Sequence, residues 1–151
     1  MKKLTKMLML GVVVLPCMIL AACGAMMVKG KDFEYNNSTV EFTGTGSASQ
    51  TALENEKQTL KTKYKDVTFK FGEDGKATFG EDTVYYTQDG SKINLYTDAE
   101  KTTAYSNFNG TDVKISVDNQ NIKITFNGNA DNKNENYKYT VTFKQTTKTE
   151  E

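Results

Sequence analysis

Histidine, arginine and tryptophan do not occur in this 151-residue chain, and proline occurs once, at Pro16. The two cysteines, Cys17 and Cys23, both lie near the N-terminus. Each absence closes off a chemistry. Without histidine there is no histidine–carboxylate metal site, no Ser-His-Asp triad and no imidazole proton shuttle. Without a cysteine after residue 23 the body of the chain holds no thiol nucleophile, thiolate metal site or internal disulfide. Without arginine there is no bidentate fork for phosphate or guanine. The formal charge is zero, but Lys2, Lys3 and Lys6 precede every acid. From residue 23 onward 16 lysines face 19 acids, so the body carries −3. A mildly acidic body has no electrostatic footprint for nucleic acid. Its length suits a single domain with one core.

What is present begins with an address. The three early lysines are followed by an uncharged apolar run from Met7 to Leu20 and then by small residues at Ala21 and Ala22, the layout of a secretory signal. The run has 14 residues, short of the ~20 that a membrane-spanning helix needs, and Pro16 weakens it further as a helix.

The segment ends on Leu20-Ala21-Ala22-Cys23, which resembles the lipobox of bacterial lipoproteins. The resemblance implies that the Cys23 sulfur receives a diacylglyceryl group and that the chain is cut before it. Residues 1–22 are then the signal peptide, and 23–30 the lipidated N-terminus and tether. The membrane is the expected partner, and the extracytoplasmic face of the cell membrane the expected location. Each buried methylene contributes about 0.8 kcal/mol, so two chains on one residue hold stably where one does not. The asparagine- and threonine-rich, arginine-free composition reads as coding from an A/T-rich genome and points to the outer leaflet of a Gram-positive membrane. Within the tether, Met26 and Met27 either enter the headgroup layer or tuck beneath the domain.

After Gly30 the apolar period becomes two. Val67, Phe69 and Phe71 alternate with Thr68 and Lys70; Ile93 and Leu95 with Lys92 and Asn94. The same pattern recurs at Val113 to Val117, Ile122 to Phe126 and Tyr137 to Phe143. One dry face and one wet face predict an antiparallel sheet. Gly72-Glu73-Asp74-Gly75, Asp89-Gly90 and Asn109-Gly110 predict turns, because Gly, Asn and Asp tolerate positive φ. Residues 50–64 break the pattern: Leu53, Leu60 and Tyr64 form one helical stripe, and Thr51 with Glu54 fits a capping box. The expectation is a mainly β domain over 31–144, an up-and-down antiparallel meander of about eight or nine strands. It curls into a small barrel with one capping helix, and a two-sheet sandwich is the alternative. Residues 145–151 form a polar tail. The passage from Phe69 to Leu95, with its two turns, is similar to the small lipocalin-like domains of bacterial lipoproteins, in which a strand and a helix also precede a meander. That likeness implies a module for an apolar ligand or a partner protein and names neither.

Acid pairs at Glu73-Asp74, Glu81-Asp82 and Asp98/Glu100 are the residues from which a carboxylate-only hydrolase would be built, but turns are where solvated acids ordinarily sit. Asn127, Asn129, Asp131 and Glu135 offer oxygen ligands, yet a calcium loop would want a further Asp or Asn where Lys133 sits, and a glycine in the turn. No metal, cofactor or catalytic residue is assigned. Tyr85 and Tyr96 fall opposite the apolar register of their strands, as partner-binding aromatics or as good strand formers. The reading is a monomeric, non-catalytic surface module that binds a small apolar or glycan ligand or an envelope protein, or inhibits or scaffolds an envelope enzyme. A cavity touched by Phe69, Phe79, Ile93, Ile115 and Phe143 would favour the small ligand. A filled interior beneath an aromatic patch would favour the protein.

Overall fold

A computed structural model of the chain describes residues 25–108, 110–128 and 136–146. The Cys23 assignment and the tail beyond Thr146 lie outside them. The elements run β1 (Asp32–Phe42), α1 (Gln50–Tyr64), β2 (Thr68–Phe71), β3 (Lys76–Phe79), β4 (Asp82–Asp89), β5 (Lys92–Tyr96), β6 (Gly110–Asp118), β7 (Asn121–Gly128) and β8 (Tyr137–Gln145). Each strand pairs antiparallel with its neighbour in the chain, and β8 returns to β1 from Phe33↔Gln145 to Phe42↔Tyr137, closing an eight-stranded barrel. Closure leaves no long bare edge, which explains why a meander of this length does not remain an open sheet or split into a sandwich.

The period-two residues point inward. Phe69 lies at the centre of a ring cluster, 4.2 Å from Phe71, 5.1 Å from Phe79 and 6.3 Å from Phe143 between ring centroids. Phe33, Phe69, Phe143, Ile122, Ile124 and Val141 are fully buried. The wet face carries the intervening polar residues in cross-strand rows, such as Ser116↔Lys123 and Thr125↔Thr140.

The connections divide between the two ends of the barrel. At one end the tight turns 72–75, 90–91 and 119–120 meet the incoming chain, with positive φ at Gly75, Gly90 and Asn119. Here Val28 is fully buried, its amide donating to Gln88 Oε1 (3.0 Å), while Gln88 Nε2 donates to the Met26 carbonyl (2.8 Å). The tether therefore plugs the barrel floor. Met26 packs against the core, and Met27 stays 61% exposed.

The opposite end carries α1. Leu60 and Tyr64 are buried, and Tyr139 Oη donates to Glu56 Oε2 (2.9 Å), tying the helix to β8. The cap is not the box at Thr51. Ser49 is the N-cap, in extended backbone, its hydroxyl accepting from the Ala52 amide (3.1 Å). Thr51 already lies inside the first turn, where its hydroxyl has no orphan amide to take. Of the turn expected at Asn109-Gly110, Asn109 lies outside the described residues. Gly110 opens β6 after the long connection from Tyr96, and a Cβ there would collide with the Asn127 carbonyl oxygen and the Phe126 ring. The glycine answers a close approach of strands rather than a hairpin turn.

Candidate functional site

The barrel wall is weakest between β5 and β6. Their ladder has two pairs, Lys92↔Ser116 and Ile93↔Ile115, whereas β6 and β7 run together over nearly their full lengths. Beyond Ile93, β5 bonds to the connection that follows it: the Thr97 amide donates to the Thr103 carbonyl (3.0 Å) and the Tyr105 amide to the Leu95 carbonyl (2.9 Å). The first half of β6 is bulged between Thr111 and Lys114, with Asp112 at φ 53°. The two strands splay, and a cleft of about 980 Å³ opens at the seam. Leu95, Tyr105, Phe108, Val113 and Ile115 supply its apolar surface. Lys92, Lys114 and Lys138 stand on its rim with Asp112 and Asn127.

Side-chain bonds hold the approach to the cleft. Tyr105 Oη donates to Asp82 Oδ2 (2.6 Å), which also accepts from Asn107 Nδ2 (3.1 Å). These bonds hold the Asp82 carboxyl below its usual range. Burial, with the Asp82 carboxylate beside it, pushes the Tyr105 phenol up. Asp98 accepts from the Thr102 and Thr103 amides (2.9 and 2.7 Å), pinning the connection and lowering its own pKa. Tyr64 packs against Phe79, 6.4 Å between ring centroids. Its hydroxyl is buried without a hydrogen-bond partner among the described residues, and burial pushes its pKa up to about 12.

Of the five residues named for a ligand cavity, Ile93 and Ile115 line the cleft. Phe69, Phe79 and Phe143 instead pack on one another, with Phe79 and Phe143 5.9 Å apart, and fill that part of the interior. The void is lateral rather than axial. The sequence carries no period-two signal for it, since a strand that leaves its partner keeps its alternation.

The acid pairs are dispersed. Asp74 caps its own turn by accepting from the Lys76 amide (3.1 Å), and with Glu73 it lines a separate depression of about 450 Å³ that also takes in Lys70 and Lys76. Glu81 is exposed beside the bonded Asp82, and Glu100 is exposed beside the bonded Asp98. The displaced carboxyls, Asp82 and Asp98, both move down, which suits fixed anions and not a general acid. Of the calcium-loop residues Asn127 is described, donating to Asp112 Oδ2 (3.0 Å); Asn129, Asp131 and Glu135 lie outside the described residues. No group of three or more acids among the described residues is placed to hold a metal ion. Tyr85 and Tyr96 are direct cross-strand partners on the outer wall, half-buried by their neighbours. No described helix is long and apolar enough to cross a membrane. No family model, curated protein or solved structure matches the chain.

Proposed function

We propose that this chain is a lipid-anchored, extracytoplasmic binding module without catalytic activity, and that it takes a small ligand at the β5–β6 seam. The observation that carries the ligand reading is a cleft of about 980 Å³ in the wall of an otherwise filled barrel. That volume lies at the upper end of the range of small-molecule sites. The anchor reading rests on Leu20-Ala21-Ala22-Cys23. The short path from Cys23 to the buried Val28 supports a geometry to go with it. The plugged floor faces the bilayer, and the splayed end of the seam, on the side of α1, faces away from it and stays open to the medium.

Native mass spectrometry of the protein purified from its host tests the ligand reading. A co-purified mass is expected on the wild type and not on Val113→Trp, which fills the cleft from a half-buried position. A bare wild-type mass under the same gentle conditions contradicts it. A second reading, an envelope protein as partner, is favoured by the filled interior around Phe69 together with the Tyr85–Tyr96 pair on the outer wall. Loss of a co-purified protein from a Tyr85→Ser/Tyr96→Ser variant, with no small-molecule mass on the wild type, would replace the first reading by the second.

A further inference from the structure

The seam cleft has two chemistries on two sides. Its floor is apolar, with Leu95 and Phe108 backing the half-buried Tyr105 and Val113. Its rim is cationic, and the charges on it are not equally committed. Lys138 is taken by Glu41 (3.7 Å), and Asp112 accepts from Asn127 (3.0 Å). Lys123, one strand away, is bound to Asp118. Lys92 and Lys114 form no ion pair among the described residues, although Asp89 stands opposite Lys92 in the β4 register. Both are exposed on the outer wall, one residue along the strand from Ile93 and Ile115, which face the floor.

We propose that the cleft binds a single-chain amphiphile with an anionic head: the chain lies along Leu95, Tyr105 and Val113, and the carboxylate or phosphate sits between Lys92 and Lys114. This deepens the binding-module reading and rests on it. A purely apolar occupant would make no use of the two unpaired, exposed ammonium groups beside it, and a neutral sugar would leave the floor unused. An extended peptide added to the bare edge of β6 fits worse. The bulge after Thr111 and the positive φ at Asp112 break the regular spacing of amides that a new strand requires. The shared chemistry is one acyl chain with one anion, available as a free fatty acid or as a lysolipid.

The full-length protein in its own membranes is labelled with a photoreactive dodecanoate, and the cross-linked peptides are mapped. Label is expected on the peptides holding Leu95, Tyr105 and Val113. Dodecanoate should compete at least tenfold better than dodecanol. Lys92→Gln/Lys114→Gln, two exposed positions that leave the melting temperature unchanged, should erase that preference. Competition by lauroyl-lysophosphatidylglycerol at a lower concentration than dodecanoate would name a membrane lipid as the source, and the reverse order a free acid; either supports the proposal. Equal competition by acid and alcohol, or label elsewhere while a different mass co-purifies, overturns the anionic amphiphile and leaves the binding module standing. Absence of cleft label together with a bare native mass overturns both.

Discussion

Tyr64 marks a cost that the fold carries at a single atom. Its ring joins the aromatic core, 6.4 Å from Phe143, but its hydroxyl is buried without a partner among the described residues. An unsatisfied buried hydroxyl costs about 1–3 kcal/mol. Tyr64→Phe is therefore expected to raise stability in urea by up to about 1 kcal/mol, where loss of a useful bond would lower it by a similar amount. The same phenol makes stability fall at high pH. An unfolded tyrosine ionises near about 10, whereas Tyr64 in the folded chain waits until about 12. Above about 10 the unfolded state has thus lost protons that the folded state keeps, so stability declines as pH rises. Tyr105 and Tyr86, raised chiefly by burial, add to the decline. With no histidine in the chain, the melting temperature should be nearly flat from about pH 5 to 9 and drop beyond it, less steeply in Tyr64→Phe. A pronounced step near pH 6 to 7 would contradict this.

At the scale of elements, the strands and the helix could be read from spacing because each has one buried face. Ile93 and Leu95, and Ile122, Ile124 and Phe126, lie where their alternation puts them, buried against polar neighbours. The helix spans 50–64 as its composition and stripe predict; what spacing missed, the cap and the reason for one glycine, was decided by single atoms. The helix begins from Ser49, whose hydroxyl takes the Ala52 amide (3.1 Å), although Thr51 with Glu54 makes the better motif. Ser49→Ala should cost about 1 kcal/mol in thermal or urea unfolding, and Thr51→Ala much less. The reverse order would restore the capping box. Gly110 tells a related story: Asn109-Gly110 reads as a hairpin signal, but the glycine is set by the nearness of Phe126 and Asn127, a tertiary contact that no local pattern records.

For the whole molecule, the barrel was legible and its opening was not. Closure takes seven pairings between strands consecutive in the chain and an eighth between β8 and β1, and each strand leaves its trace in the alternation. The seam arises because β5 exchanges β6 for residues 103–105 after two ladder pairs, a competition between partners that a linear pattern cannot rank. Of the two interiors the sequence left open, the Phe69 ring cluster fills the part around Phe79 and Phe143, and the space lies in the wall instead. At this scale the anchor and the fold are consistent with one arrangement. The chain enters beneath a plugged floor through Val28, and the splayed end of the seam lies toward the other pole with α1. The most direct test is the intact mass and N-terminal peptide mass of the protein extracted from its host membranes. A chain that begins at Cys23 and carries a diacylglyceryl group on the sulfur is expected, with Cys23→Ala releasing the protein from the membrane fraction or leaving it unprocessed. A free thiol at Cys23, or a chain that still carries Met1 to Ala22, would contradict the account.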